Sequence, residues 1–358
     1  MKLIAFYLPQ FHETEENNRW WGKGFTEWTH TKKAKPLYPG HYQPREPYQD
    51  YYYDLTDEKA REWQAQIARE HGIYGFCYYH YWFKGKRLLP KPFDAILQKG
   101  EPDFPFCLSW ANDPWINTWT GSKNEVLVDQ DYGDEEDWKE HFEFLLTAFK
   151  DKRYIRVENK PLFVIYRPSG IPKCEQMLDY WQRLAVKNGL EGIYFVQTLN
   201  RFSNPDLQGF DARIEFEPGY TMNLTNGIHC GKAVDGFKQK FNLMDYDKYW
   251  SYILERRVEN NHVKTFLGAF MDWDNSPRVG GRSPLIFTGA TPEKFTYYLT
   301  QQIKRSIELN SDFIFINAWN EWGEGTYLEP DNQYEFQYLE ATRKALENNG
   351  LIRGEEND

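Results

Sequence analysis

Only four cysteines occur in 358 residues, and Cys77, Cys107, Cys174 and Cys230 stand far apart with no CxxC pair. Such spacing reads as reduced, buried thiols and excludes a disulfide framework. No apolar run approaches the ~20 residues of a membrane helix, so no membrane insertion is expected. Basic residues are in deficit, 43 Lys+Arg against 53 Asp+Glu, for a net charge of −10. A nucleic-acid binder neutralises phosphates with clustered Lys and Arg, and no such cluster exists. The start, MKLIAFYLPQFHE, holds one Lys and a short apolar run ending at Pro9-Gln10, with no small-residue cleavage site. It reads as a first strand and not a signal peptide, which makes a cytoplasmic protein the expectation.

Several chemistries are missing too. No glycine-rich phosphate loop follows the first strand, no HxH or HExxH arrangement offers a metal site, and no GxSxG elbow is present. No cofactor and no metal are expected. Asp272-Trp273-Asp274 matches the DxD by which many glycosyltransferases hold a metal and a nucleotide-sugar. Asp129-Gln130-Asp131 and Asp245-Tyr246-Asp247 match equally, so the pattern arises cheaply.

Aromatic side chains are abundant: 14 Trp, 25 Tyr and 25 Phe, 18% of the chain, in a protein whose mean hydropathy is −0.78. Many stand beside polar residues, as in Tyr78-Tyr79-His80-Tyr81-Trp82 and Trp110-Ala111-Asn112-Asp113-Pro114-Trp115. Any single ring is more often core packing than ligand platform. Mixed with Asn, Asp, His and Gln, however, flat rings with polar edges suit a sugar's C–H faces and hydroxyls. A carbohydrate is the expected partner.

Eight strand-sized apolar runs recur, at Leu3–Phe11, Tyr74–Trp82, Phe104–Asn112, Leu162–Arg167, Tyr194–Asn200, Ala212–Glu217, Phe266–Asp274 and Phe313–Trp319. Their near-continuous apolar character marks strands covered on both faces. Helical periodicity separates most of them. Thr56, Asp134 and Thr291-Pro292 are candidate N-terminal signals, and Met177, Trp181 and Leu184 line one helix. Tyr334, Tyr338, Leu339 and Leu346 line the last. Eight alternations over this length predict an α/β fold, a single (β/α)8 barrel over residues 1–350 with a polar tail at 351–358; a doubly wound sheet is the competitor. Long connections at 12–55, 113–133 and 218–245 are expected to decorate the active face.

Such barrels work at the C-terminal ends of their strands, and those ends are polar here. Candidate substrate contacts are Tyr7, Gln10 and His12; Tyr79, His80, Tyr81 and Trp82; Trp110 and Asn112; Tyr166 and Arg167; Gln197; Glu215; Asp272 and Asp274; Trp319 and Asn320. Glu321 and Glu324, in WNEWGEG after the eighth run, are the catalytic candidates. Carboxylates three apart become neighbours on a helical turn, and glycosidic cleavage commonly needs two. Flanking tryptophans would exclude water and raise one pKa, suiting it to general acid work. Gly323 and Gly325 permit an unusual backbone path. An ExxE alone is weak, because solvated surface pairs are common.

At these residues a family resemblance enters. AFYLPQFH, GFTEW, GFCYYHYWF, FCLSWAN, KPLFVIYRP, FDARIEFEP, MDWDNSPR and NAWNEWGEGTYLEP together resemble the WbsX-like proteins of bacterial polysaccharide gene clusters. These are often labelled glycosyltransferases and are related to family 99 glycoside hydrolases, which include endo-α-mannosidases and endo-α-mannanases. The resemblance covers nearly the whole chain and implies a (β/α)8 barrel. It also implies that Glu321 draws the proton from the substrate's own 2-hydroxyl, which attacks the anomeric carbon to give a 1,2-anhydro sugar. Glu324 would protonate the leaving oxygen and then activate the water that opens the epoxide, with net retention. After the third strand the chain departs from the family pattern, with Asn112-Asp113-Pro114 and then Ile116-Asn117. The expected activity is a retaining hydrolase on an α-linked, mannoside-like surface glycan. A nucleotide-sugar-dependent glycosyltransferase of polysaccharide assembly is the alternative, and a non-catalytic glycan binder the third reading.

Overall fold

A computed structural model describes residues 1–117, 125–225, 242–258, 263–279 and 283–353. Cys230, most of the 218–245 connection and residues 354–358 of the tail lie outside them. Eight parallel strands close on themselves: β1 (Lys2–Tyr7), β2 (Ile73–Phe83), β3 (Phe106–Trp110), β4 (Lys160–Ile165), β5 (Tyr194–Leu199), β6 (Ala212–Glu215), β7 (Lys264–Phe270) and β8 (Phe313–Asn317). Ala5 of β1 is in register with Ile316 of β8 on one side and Phe76 of β2 on the other, which closes the cylinder. The predicted (β/α)8 barrel is therefore present. Helices stand between successive strands except from β5 to β6, where no helix forms.

The expected runs overshoot the paired strands by a few residues, mostly at their C-terminal ends. The reason is local. Past the last ladder bond, side-chain amides take over the backbone groups. Asn320 accepts from Leu8 N–H (2.7 Å) and donates to Leu8 C=O (3.0 Å). Asn112 does the same for Arg167, at 2.7 and 2.8 Å. Both are buried, so these segments leave the ladder without exposing unpaired backbone.

Helix ends follow capping chemistry. Asp134 forms a capping box with Asp137 at the start of Glu135–Phe149, and Thr291 caps Pro292–Glu308. Thr56 does not cap the helix Glu58–Glu70; Asp57 does, accepting from Lys59 N–H, while Thr56 is held by Asp54. Tyr334 lies before the last helix, Gln337–Asn348.

Inside the barrel, Phe6 packs against Tyr79, Phe216 and Phe315 with ring centroids 5.0–5.6 Å apart. This aromatic layer floors the C-terminal mouth. Three long connections build its walls. The first carries the helices Glu15–Trp21 and Trp28–Lys33, the second a hairpin pairing Trp115–Asn117 with Glu125–Val128, and the third the helix Gly219–Leu224.

Candidate active site

Beyond β8 the chain makes one tight 3-10 turn, Trp322–Glu324, and reverses at Gly325, whose φ of +64° only glycine adopts without strain. Gly323 has a different reason. A Cβ there would sit 1.9 Å from Glu27 Oε1 and 2.8 Å from Arg278 Nε, so the position lacks space for any side chain. The turn is anchored from below: Trp322 stacks on Tyr327 at 3.8 Å and donates to Glu329 Oε2 (2.7 Å). Glu329 is buried and also accepts from Tyr53 (2.7 Å) and Gln64 (2.6 Å). Burial pushes its carboxyl up to about 7.

Glu321 and Glu324 flank this turn and converge on one cation. Arg278 donates from Nη2 to Glu321 Oε2 (2.7 Å), from Nη1 to Glu324 Oε1 (2.6 Å) and from Nε to Glu27 Oε1 (2.8 Å). Glu27 and the Glu321 side chain are buried, whereas that of Glu324 is 26% exposed. Three carboxylates around one guanidinium leave excess negative charge in a dry place. Burial, then the neighbouring Glu324 and Glu27, pushes the Glu321 carboxyl up to about 8 against the opposing pull of Arg278. Tyr79 and Tyr81 are held well above their ordinary value by burial and by Glu321. His30 is pushed down to about 4 by burial and by Arg278.

The two glutamates lie between two cavities of about 410 and 400 Å³ and line both, as do Tyr81, Arg201 and Asn275. Gln10, Trp21, Glu27, Trp115, Ile116 and Arg278 line the first. Tyr79, Tyr166, Asn200, Phe216, Met222 and Trp273 line the second. Tryptophans thus stand on either side of the carboxylates, together with the amides of Gln10, Asn200 and Asn275, a lining suited to an amphipathic chain of sugars.

Of the substrate contacts expected from sequence, Gln10, Tyr79, Tyr81 and Tyr166 line these cavities. The rest are placed elsewhere. Strand alternation divides the run on β2, because successive side chains take opposite faces. Tyr79 and Tyr81 point inward. His80 instead meets His141 of the helix Glu135–Phe149 (2.9 Å), and Trp82 stacks on the same ring at 4.5 Å. Trp110 packs edge-on against His141 as well. Tyr7 donates to Gln64 (2.6 Å), His12 is fully buried against Pro9 C=O, and Gln197 donates to Pro205 C=O. Glu215 and its neighbour Glu217 pair with Arg256, and Arg167 pairs with Asp113 (2.8 Å). Trp319 is fully buried against Phe76. Asn112 and Asn320 are the backbone staples described above.

The DxD is engaged throughout. Leu37 N–H donates to His41 Nδ1 (3.0 Å), so the ring proton lies on Nε2 and is donated to Asp274 Oδ2 (2.8 Å). Gln43 donates to the same oxygen (2.7 Å) and Ser276 N–H to Oδ1 (2.9 Å). Asp272 is paired with Arg45 (2.8 Å), which also donates to Gly325 C=O. Asp274 N–H in turn donates to Glu324 C=O (2.7 Å). This pair straps the first connection to the Trp322–Glu324 turn and starts the short helix Ser276–Val279 that carries Arg278. Asp245 caps a helix, Asp131 pairs with Lys84 and Asp247 with Lys294. Among the described residues no group of three His, Cys, Asp or Glu is arranged to hold a metal, and no helix is long and apolar enough to cross a membrane.

Sequence reading did not assign Glu27, Arg278, Arg201 or Asn275. Glu27 lies within GFTEW, and Asn275 and Arg278 lie within MDWDNSPR, two of the motifs that carry the family resemblance.

A family model described as "Glycosyltransferase WbsX" matches residues 3–342. Two curated relatives from Xanthomonas campestris pv. campestris strains, each described as "Uncharacterized protein WxcX", are 35% identical over 352 residues, 96% of this chain. The match takes in 49% of either relative, so the chain spans about half their length. Among solved structures, the GH99 endo-alpha-mannosidase from Bacteroides thetaiotaomicron superposes with a TM-score of 0.58 over 98% of both chains at 14% identity. A "Glycoside hydrolase-like protein" gives 0.55 at 15% identity, over 96% of this chain and 93% of that one. At such identities the likeness is one of fold, and it agrees with the closed barrel.

Proposed function

The chain belongs to the family described as Glycosyltransferase WbsX, and from that membership and the geometry of the cleft we propose that it is a retaining glycoside hydrolase acting on an α-linked, mannoside-like surface glycan. The observation that carries the reading is the convergence of Glu321 and Glu324 between two ring-lined cavities. The glycan lies across the pair with sugars on both sides. Glu321, in its ionised form, accepts the proton of the 2-hydroxyl as that oxygen bonds to the anomeric carbon. The glycosidic C–O bond breaks and Glu324 delivers its proton to the departing oxygen. Water then opens the anhydro ring, giving its proton to Glu324 while Glu321 returns a proton to the 2-oxygen.

In the free protein burial and the neighbouring carboxylates raise the Glu321 carboxyl, which favours its holding a proton. A bound 2-hydroxyl donating to Glu321 favours its ionised form, and a glycosidic oxygen accepting from Glu324 favours the protonated form there. Substrate itself moves the proton to where the reaction needs it.

The test is release of reducing ends from α-mannan or O-antigen-type glycans in the absence of any nucleotide, with the first-formed anomer read by NMR. An α product lost in both Glu321→Gln and Glu324→Gln is expected. Unchanged turnover in Glu324→Gln refutes the mechanism. A transferase reading draws on the family's description; calorimetry with a panel of nucleotide-sugars, with and without Mn²⁺, tests it directly. The engaged oxygens of Asp272 and Asp274 favour the hydrolase.

A further inference from the structure

We propose that Arg278 is a positioning residue of the cleavage reaction: anchored from behind by Glu27, it grips one oxygen of each catalytic glutamate, turns the other toward the cleft, and lets a proton leave one and join the other without changing the charge it faces. The inference rests on the reading of Glu321 and Glu324 as the working pair.

Geometry comes first. Glu321 uses Oε2 and Glu324 uses Oε1 to accept from Arg278, and among the described residues neither remaining oxygen, Glu321 Oε1 or Glu324 Oε2, bonds to protein. Both residues line both cavities, so one oxygen of each is left for substrate. A guanidinium is planar and rigid, and its two terminal nitrogens therefore fix the spacing of the carboxylates they hold. The anchor is equally constrained: Glu27 is fully buried, and the absent Cβ of Gly323 is what lets it reach Nε.

Charge supplies the second argument. In the ring-forming step Glu321 gains the proton of the 2-hydroxyl while Glu324 loses its own to the leaving oxygen. The pair carries one negative charge before and one after. A cation bonded to only one of them would favour whichever state ionises that partner. Bonded to both, Arg278 stabilises the two states alike and adds nothing to the barrel's cost of moving the proton. Other groups face the pair too: Tyr79, Tyr81 and Tyr166 from the strands, His30 from the first connection and Arg201 beyond β5. Among the described residues, Tyr79, Tyr81, Tyr166 and Arg201 donate no hydrogen bond to either glutamate.

The experiment uses protein carrying ¹³C-labelled glutamate carboxyls, with the two resonances assigned through Glu321→Gln and Glu324→Gln and titrated beside kcat and KM. In Arg278→Gln the apparent midpoints are expected to rise by about one unit or more, and kcat to fall about 100-fold or more with KM little changed. Arg278→Lys should return the midpoints toward wild type without restoring the rate, since an ammonium cannot fork. A folded Arg278→Gln with wild-type midpoints and kcat overturns the proposal. If that variant does not fold, Glu27→Gln replaces it. Losing the third negative charge should lower the Glu321 midpoint and, by freeing the anchor, reduce kcat about tenfold; no change in either overturns the proposal equally. Should the wild type cleave no glycan, the functional reading fails, while the midpoints still decide whether Arg278 governs the pair.

Discussion

Replacing Glu321 by glutamine should make the protein more stable as well as inactive, by an amount that grows with pH. The Glu321 carboxyl is raised from 4.5 to about 8 in the folded chain. The folded state thus holds a proton that the unfolded chain has already released, and stability falls as pH rises from about 4.5 to about 8. At 1.36 kcal/mol per pH unit, the cost is on the order of 1 kcal/mol at pH 5.5 and on the order of 3 kcal/mol at pH 7. Glutamine keeps the shape and an oxygen for Arg278 but does not titrate, so it escapes that cost. A chain of 358 residues unfolds with an entropy of roughly 0.75 kcal/mol per degree, so a cost on the order of 3 kcal/mol corresponds to about 4 °C in Tm. Scanning calorimetry of both proteins from pH 5.5 to 8 reads the difference. It should widen from about 2 °C to more than twice that. A Glu321→Gln protein that melts below wild type at pH 7, or by a margin independent of pH, refutes the electrostatic account of this site.

Leaving groups separate the roles of the two glutamates. An α-glycoside with an activated aryl leaving group should recover much of the lost kcat in Glu324→Gln and little in Glu321→Gln, as assayed by phenolate release; equal recovery in both would contradict the assignment. Because the pair works with one proton, which Glu321 holds up to about 8 in the free protein, kcat/KM should fall along an alkaline limb near 8 as the pair loses its acid; activity that climbs across the same range would refute the shared proton. Gly323→Ala places a methyl 1.9 Å from Glu27 Oε1, so the turn must shift. Expected are a loss of about 100-fold in kcat and a stability cost of about 1–3 kcal/mol, and wild-type kinetics would show that the clamp has slack. Asp274→Ala strands the donors His41 Nε2, Gln43 Nε2 and Ser276 N–H. It should cost about 3 kcal/mol or more in denaturation experiments and leave any Mn²⁺ binding unaltered; a stable variant that loses Mn²⁺-dependent nucleotide-sugar binding would instead restore the transferase reading.

The barrel was readable because its strands are covered on both faces, and continuous burial writes itself into composition as apolar runs such as Phe313–Asn317. Which side of the wall a residue faces is written less plainly. Tyr79, His80, Tyr81 and Trp82 are all aromatic and all polar-edged, yet alternate ones enter the cleft and the helix layer. An apolar-versus-polar alternation would have separated them. Here the outer layer is itself an aromatic and histidine cluster, so both faces have the same chemistry and period two is invisible. The reverse holds for Asn112, Asn320 and Asp274, whose polarity marks strand ends correctly while their hydrogen-bonding capacity serves backbone and neighbouring loops.

Arg278 and Glu27 were hidden for another reason, since they are 251 positions apart and meet only because the first and seventh connections cross the mouth of a closed cylinder. No local spacing encodes that meeting. What the chain does encode is the consequence of it, a glycine at 323 where a helical turn between two glutamates would ordinarily favour any other residue. A buried carboxylate and its guanidinium occupy the volume where that side chain would be. The glycine in WGEG is therefore the sequence's own trace of the third carboxylate. It follows that restoring a side chain at 323 while truncating Glu27, as in the Gly323→Ala, Glu27→Ala pair, should relieve the clash that the single alanine creates. A double-mutant cycle on stability should show coupling of about 1 kcal/mol or more between the two sites. Additive effects would mean that the space at 323 is set by something other than Glu27.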